Sequence, residues 1–565
     1  MSKLLLLEEL KNIIKGEISS GEKELSAYSR DASIFEVKPQ LVVKPKDAED
    51  IKNLVKFVSD NKPSNPTLSI TARAGGSDMT GGPLNESIIL DLTAHMNRVL
   101  EVREIPSAGG YAVVEPGAFY RDFEKETLNK GLLLPSYPAS RELAAVGGMV
   151  ANNAGGEKSL RYGKTENYVE ELNVVLSDGN EYVFRSLTLE ELEQKKNQSN
   201  FEGEVYRKMY DLLETNCDIV KKAKPDVSKN SAGYALWNVW PARRSLGEGG
   251  DKKTFDLTKL FVGSQGTLGI ITKIKFRLIE PGKYSKLLVI FLRDIERLPQ
   301  VVNEVLKFQP EDFESYDDKT LKLVFSYFND FAKKLGVKNL IKLGFSFLPE
   351  IKMTLTGGLP KLVLLAEFTG NDEEDVNLKA QGARNALSNF GAKTRIAKNE
   401  LEAEKYWTIR REAFNLLRSH LKKRRSTPFI DDLIVRPEKL GEFLPALYKL
   451  LEPYKSKMTY AVGGHSGDGN LHIYSIMDIN DPSSRAIILE VSDKVYGLVI
   501  QYGGSITAEH NDGLIRTPYL EKMYGHEVNK LFEDVKQIFD PLNIFNPRKK
   551  VGTDLDYAMK HIKYG

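Results

Sequence analysis

The stretch ARAGGSDMTGG, residues 72–82, decides how the rest of the chain reads. It follows a strand-like run from Leu68 to Arg73, and Gly75, Gly76, Gly81 and Gly82 let the backbone turn with its N–H groups inward. Successive amides with no side chain in the way form an anion nest that suits a pyrophosphate. Arg73 adds positive charge beside it. One such loop is often only a tight turn, so the weight falls on its companions.

There are two. VGGMVANNAGG, residues 146–156, offers paired glycines and adjacent Asn152 and Asn153, and leads into Arg161-Tyr162-Gly163. GSQGTLGII, residues 263–271, places small residues directly before a strand from Lys273 to Leu278. Three such loops point to one extended ligand threaded between layers. None is the G-x-G-x-x-G fingerprint after a strand, so an ordinary Rossmann NAD site is not indicated.

Around these loops strand and helix alternate. Leu41 to Val43 reads as a strand, and Ile51, Leu54, Val55 and Val58 recur at helical spacing behind Asp47 as N-cap. Ile88 to Leu92 and Ala112 to Glu115 read as further strands. From about residue 280 the texture shifts to buried strands (Leu287 to Leu292, Leu362 to Phe368, Ile430 to Val435), each followed by a helical pattern. Met458 to Met477 reads as a hairpin, and the whole as an antiparallel sheet with helices on one face. The expected class is α+β: a bipartite domain of two α/β subdomains, then an antiparallel-sheet cap. The expected units are a helical segment 1–35, a first domain 36–279, a cap 280–530, and a segment 531–565 returning to the first domain. Residues 241–253, rich in Gly, Arg, Glu and Lys, read as an exposed insertion.

Composition narrows the function. With 80 Lys+Arg against 78 Asp+Glu, the net charge of +2 creates no field for nucleic acid. The basic run at 422–425 is short and reads as a solvated helix end. A single cysteine, Cys217, permits neither an internal disulfide nor a cysteine-ligated iron–sulfur cluster. No signal peptide or membrane-spanning run is evident, so the expected location is cytoplasmic, with the inner face of the membrane as a peripheral alternative.

Three of the seven histidines fall in two short motifs. In GGHSGDGNLHI, His465 and His472 flank a D-G turn, and a hairpin there brings both imidazoles onto one face. In AEHNDG, Glu509 and His510 are adjacent. Two His and one Glu make a three-ligand site with open positions, the pattern of catalytic zinc. Alternatively the histidines only tie loop backbones. For Glu509 and His510 to serve one site the chain must bend, as Gly503, Gly504 and Gly513 would allow.

The order of these loops, with VEPGAFYRD (114–122), PSYPASRELAAVGGMVANNAGG and RYGKT, resembles the FAD domain of the vanillyl-alcohol oxidase superfamily. The branch it resembles is the FAD-linked oxidases of D-lactate dehydrogenase and glycolate oxidase type. The resemblance covers about residues 36–278 and 400–551 and is weakest around 300–400. It implies that FAD is held by Arg73, Ala74, Gly75, Gly76, Ser77, Asp78, Gly81, Pro138, Gly147, Gly148, Asn152, Asn153, Gly155, Gly156, Gly263, Gly266, Thr267, Gly269, Ile270 and Asn546. It also implies that His465, His472 and Glu509 bind a divalent metal (zinc, with manganese or iron as alternatives) and that His510 is the base. Arg410, in Trp407-Thr408-Ile409-Arg410, is implied to grip a substrate carboxylate. Lys229 to Tyr234 resembles a loop near the substrate channel.

The departures are specific. Ser77 and Asp78 stand where the family usually has Thr-Gly, Gln265 at a frequent Glu, Ala508 at a Gly, and Tyr474 where some 2-hydroxyglutarate enzymes carry Asn. No histidine lies in the loops and Cys217 lies outside them, so FAD is expected to bind non-covalently. The expected chemistry is oxidation of a D-2-hydroxy acid of the lactate, glycolate or 2-hydroxyglutarate class. The motifs AEHNDGLIRTPYL and FIDDLIVRPEKL look closer to relatives fused to an iron–sulfur domain than to the plain glycolate type, and that domain is not expected here. Electrons would then pass to a separate iron–sulfur subunit, an electron-transfer flavoprotein or a quinone. A homodimer fits, and nucleic acid does not. The alternative is a non-redox FAD-dependent transferase of the ether-lipid synthase type; a zinc hydrolase and an FAD-bearing scaffold are further rivals.

Overall fold

The computed structural model describes residues 3–240, 254–326, 358–420 and 425–563. The insertion expected at 241–253 and the basic residues 422–424 lie outside them.

The first sheet holds β1 (Glu17–Ser19), β2 (Leu41–Lys44), β3 (Ile70–Arg73) and β4 (Ile88–Asp91) in the order β1-β2-β4-β3. β2, β4 and β3 run parallel and β1 is antiparallel to β2. Leu41 to Val43 and Ile88 to Leu90 are uninterrupted apolar runs, as strands covered on both faces require. The helix Ala48–Asn61 packs here through Ile51, Leu54, Val55 and Val58, and Asp47 caps it by accepting from Glu49 N at 3.0 Å and Asp50 N at 3.2 Å. The N-terminal segment is not helical alone: it also supplies β1, whose three residues, Glu17-Ile18-Ser19, are too few to show a strand period.

The second sheet, β5 (Val99–Ile105), β6 (Gly109–Val114), β7 (Val169–Val175), β8 (Glu181–Arg185) and β9 (Ile270–Leu278), is antiparallel throughout, in the order β5-β6-β9-β7-β8. The third contains β10 (Tyr284–Leu292), β11 (Asp312–Asp317), β12 (Leu362–Gly370), β13 (Lys393–Ile396), β14 (Arg425–Ser426), β15 (Leu433–Ile434), β16 (Met458–His465) and β17 (Asn470–Met477). Its order is β13-β10-β12-β11-β16-β17-β14, with β15 also on β17, all antiparallel. One face packs on the helices Leu298–Leu306, Glu373–Ala386, Leu440–Leu451 and Ser484–Gln501. The other face is also covered, by Tyr406, Trp407 and Ile409 of Glu400–His420. The architecture is α+β, as expected from the sequence.

Two local differences matter for the site. The strand expected at Ile430 to Val435 contracts to Leu433–Ile434, because Asp432 adopts φ 67° and breaks the extended run. The tail returns to the first sheet: Ile70 N donates to Ile544 O and Asn546 N to Ile70 O, both at 2.8 Å, and Ile544 and Phe545 are buried there. Among the described residues, no helix is long and apolar enough to cross a membrane.

Candidate active site

β16 and β17 form the expected hairpin. Gly463 pairs with His472 and His465 with Asn470, so both histidines stand on one face, diagonally across the ladder. Their ring centroids lie 5.2 Å apart. The turn needs Gly469, at φ 75°, where a Cβ would sit 1.9 Å from Val435 O.

Glu509 and His510 reach this face by a bend whose cause is a carboxylate. Asp432 Oδ2 accepts from Thr507 Oγ1 at 2.6 Å and from the amides of Ala508, Glu509 and His510 at 2.9, 2.9 and 2.7 Å. Three consecutive N–H groups converging on one oxygen curl the chain, so neighbouring side chains face the same way. The other Asp432 oxygen accepts from Asn470 Nδ2 at 2.9 Å, fixing this loop to the hairpin. The bend expected from glycines alone is therefore built by an acid from another segment.

Imidazole Nε2 atoms converge on Glu509 Oε1, at 3.2 Å from His465, 3.3 Å from His472 and 4.0 Å from His510. Each Nδ1 faces a carboxylate: His465 faces Glu314, and His472 and His510 face the two oxygens of Asp431 at 3.2 and 3.5 Å. Acids behind imidazoles fix ring orientation and tautomer, the outer shell that metal-ligating histidines carry. The ligand atoms of His465, His472 and Glu509 all lie within 4.8 Å of one another. Glu509 Oε2 accepts no hydrogen bond among the described residues and sits 3.5 Å from the buried Lys229 Nζ. Two imidazole nitrogens and a carboxylate with spare acceptor capacity fit a divalent cation.

The charges support one another. Burial opposes the imidazolium of His465, yet Glu314 and Glu509 hold its pKa above the ordinary histidine value. His472 is raised further against the same burial, by Tyr474, Asp431 and Glu509. Burial works against the Glu509 anion too, but His465 and Lys229 hold its carboxyl well below the usual range. Burial lowers Lys164 to about 8; its Nζ donates to Ala508 O at 2.9 Å and Asn230 O at 2.6 Å, supporting the loop from beneath.

Arg410 lies on the same wall, almost fully buried. Its Nε donates to Glu314 Oε2 at 3.0 Å and its Nη1 to Tyr474 Oη at 3.1 Å. Tyr474 stacks on His472 with centroids 6.0 Å apart.

These groups form one end of a cavity of about 1490 Å³. A pocket for one small ligand measures roughly 300–1,000 Å³. The rest of the wall comes from the glycine-rich loops: Arg73, Ala74, Gly75, Gly76, Ser77, Asp78, Pro138, Gly147, Gly148, Asn152, Gly155, Gly266 and Gly269. Among the described residues none accepts a hydrogen bond from the backbone N–H of Gly75, Gly76, Ser77 or Asp78, which leaves a row of amide donors for an anion. A dinucleotide with a pyrophosphate fits this wall.

Two of these lining residues also hold the protein's own segments. The Arg73 guanidinium is turned onto Arg30 O at 2.7 Å and Tyr28 O at 3.3 Å. Asp78 braces its own loop, accepting from Thr80 N, Gly82 N and Asn152 Nδ2 at 3.0, 2.8 and 3.0 Å.

Seven expected contacts do not line the cavity: Gly81, Asn153, Gly156, Gly263, Thr267, Ile270 and Asn546. They shape the loops from behind. Asn153 caps a helix at φ 52°, Gly263 O accepts from Asn511 Nδ2 at 2.9 Å, and Thr267 Oγ1 meets Tyr234 Oη at 2.7 Å. Asn546 joins three segments, with Nδ2 donating to Gly82 O at 2.9 Å and Gln265 O at 2.6 Å and Oδ1 accepting from Thr71 Oγ1 at 2.8 Å. Conversely, sequence reasoning missed Glu314, Asp431 and Glu157. Glu314 had a signal: DFESYD places acids in a strand between apolar segments, and all six residues are buried.

The sequence matches two family models, "FAD binding domain" over residues 39–184 and "FAD linked oxidases, C-terminal domain" over 282–550. It is 28% identical over 550 residues to a D-2-hydroxyglutarate dehydrogenase of Pseudomonas putida, covering 96% of this chain and 51% of that relative. The chain spans about half the length of this and other curated relatives of that name. It is 27% identical over 553 residues to a D-lactate dehydrogenase of Anaerostipes hadrus, covering 96% of both. Among solved structures, a 4-ethylphenol oxidase from Gulosibacter chungangensis has the same fold, with a TM-score of 0.68, 16% identity and 98% of both chains covered.

Proposed function

The chain belongs to the FAD-linked oxidase family of the vanillyl-alcohol oxidase superfamily, and from that premise we propose that it oxidises a D-2-hydroxy acid to the 2-oxo acid with non-covalent FAD and a divalent metal. One observation carries the reading. The imidazoles of His465, His472 and His510 converge on Glu509 in the same cavity whose far wall is a row of open backbone amides.

When bound, FAD supplies a hydride acceptor, and a metal held by His465, His472 and Glu509 supplies a Lewis acid for the substrate oxygens. The donor set suits zinc, and manganese or iron suit it as well. His510 accepts the hydroxyl proton at Nε2, while Asp431 faces its Nδ1 and stabilises the imidazolium that forms. Arg410 orients the substrate carboxylate, and Glu314 holds both Arg410 and His465. The buried surroundings of His465, His472 and Glu509 exclude water, which strengthens every charge interaction there. In this reading residues 36–279 hold the FAD, 280–530 the metal and substrate, and 531–565 close the FAD loops from behind. A separate acceptor, such as an iron–sulfur subunit, an electron-transfer flavoprotein or a quinone, takes the electrons.

The test is turnover with an artificial dye acceptor on FAD-loaded protein, before and after chelation. D-lactate, glycolate or D-2-hydroxyglutarate should drive dye reduction, chelation should suppress it, and zinc or manganese should restore it. Dye reduction untouched by chelation removes the metal from the account.

A further inference from the structure

The wall that carries Arg410 holds a second guanidinium for which the proposed chemistry has no task. Arg411 follows Arg410 on the helix Glu400–His420 and lines the same cavity. Its Nε and Nη2 donate to the two oxygens of Glu157 at 2.7 and 2.6 Å, a bidentate fork that uses both carboxylate oxygens. Glu157 follows Gly155 and Gly156 at the end of the second glycine-rich loop, and its side chain is only 12% exposed. Burial works against this anion, yet the Arg411 fork and the charges of Arg410 and His465 hold its carboxyl below the usual range. The pair thus stands electrostatically within reach of the substrate end.

We propose that the Glu157–Arg411 pair sets the substrate class, admitting monocarboxylic 2-hydroxy acids and rejecting dicarboxylic ones. This rests on the functional reading above. Arg410 provides one cation, sufficient for the carboxylate next to the reacting carbon. A distal carboxylate entering this partly buried wall needs a second cation, because an unpaired charge is costly to desolvate. Arg411 follows Arg410 on the same wall, and the protein's own carboxylate already takes its Nε and Nη2 donors, while Lys229 Nζ is committed to Asp468 and Glu509 at 3.0 and 3.5 Å. Of the other arginines on the cavity wall, Arg30 pairs with Glu36, Arg73 is turned onto backbone carbonyls, Arg121 onto Glu142 O, and Arg141 lies over the Tyr137 ring near Glu124. A distal carboxylate drawn to the remaining Nη1 and Nη2 hydrogens of Arg411 would meet a guanidinium whose charge Glu157 already offsets, and would stand beside that like-charged, largely buried carboxylate. Specificity built from a repelled charge works in this way. Lactate or glycolate carries no distal charge and leaves the pair intact.

The experiment compares D-lactate with D-2-hydroxyglutarate as anaerobic reductants of the bound FAD, in wild type and in Glu157→Gln. It is paired with titrations of pyruvate and 2-oxoglutarate read by perturbation of the flavin spectrum. The wild type should favour the monocarboxylate in both rate and binding. Glu157→Gln removes the competing negative charge from Arg411 and should shift both ratios toward the dicarboxylate by at least about tenfold, the scale on which like-charge contacts discriminate. The double variant Glu157→Gln/Arg411→Gln, with FAD retained as the check on folding, should lose that gain. A wild type that prefers the dicarboxylate, or ratios unmoved in Glu157→Gln, overturns the inference alone. Reduction by none of D-lactate, glycolate and D-2-hydroxyglutarate with FAD bound overturns the functional reading and the inference together.

Discussion

Arg410 Nε donates to Glu314 Oε2 at 3.0 Å, and the other oxygen of that fully buried carboxylate faces His465 Nδ1. One acid therefore orients both the side chain assigned to the substrate carboxylate and a histidine assigned to the metal.

Replacing Glu314 by Gln should expose this coupling. The amide can accept from Arg410 on one side only by presenting its NH2 to His465 Nδ1, which favours the tautomer with hydrogen on Nε2. That tautomer cannot ligate, so zinc affinity in a chelator competition should fall by about 10- to 100-fold, the usual effect of losing such an acid. FAD absorbance should be unchanged. Unaltered zinc affinity would separate Glu314 from the metal site.

Asp432→Ala removes the acceptor of three consecutive amides and of Thr507 Oγ1. Leaving these buried donors unpaired should lower stability by roughly 3 kcal/mol in urea unfolding. Activity should fall with it, because Glu509 and His510 lose the curl that aims both at one centre.

Asp31 lines the FAD-loop end of the cavity, and burial, then Asp78, push its carboxyl up to about 7. Above that pH its charge opposes an anionic ligand. FAD affinity measured by equilibrium dialysis should therefore fall between pH 6 and 8, by up to about tenfold for one unit of linked shift. Asp31→Asn should flatten the profile. The folded chain holds this proton between pH 3.8 and about 7 where the unfolded chain has lost it, so stability falls as pH rises through that window.

Lys549 contributes with the opposite sign. Burial, reinforced by Arg548, lowers it to about 7, while the unfolded lysine titrates near 10.5. Between those values the unfolded chain binds a proton that the folded chain lacks, so this group makes stability rise with pH. Lys164, lowered to about 8, adds to the rise over a narrower range. Unfolding curves of Lys549→Met should show a smaller slope between pH 7 and 10.

The legible parts of the molecule are those with local causes. The D-G turn between His465 and His472 fixes a hairpin, and hairpin register alone brings the two rings together. The glycine-rich loops announce themselves by composition, and Asp47 by its place before an apolar helical period. The acids behind the histidines are illegible for a physical reason. Glu314 reaches His465 only because Ser315 pairs with Gly464 across β11 and β16, a long-range register that no local pattern encodes. Asp432 reads as the interior of a strand, since nothing in FIDDLIV announces a left-handed residue. Asn546 and Gln265 likewise meet through tertiary folding, although each lies in a segment that the sequence singles out.

The central claim is tested most directly by mixing FAD-loaded, zinc- or manganese-supplemented protein with D-lactate, glycolate or D-2-hydroxyglutarate without oxygen and following flavin absorbance. Wild type should bleach with at least one of these acids, and His510→Ala, retaining its FAD, should bleach at least about 100-fold more slowly, as loss of a positioned base requires. A wild type that keeps its FAD fully oxidised in the presence of all three acids would contradict the account.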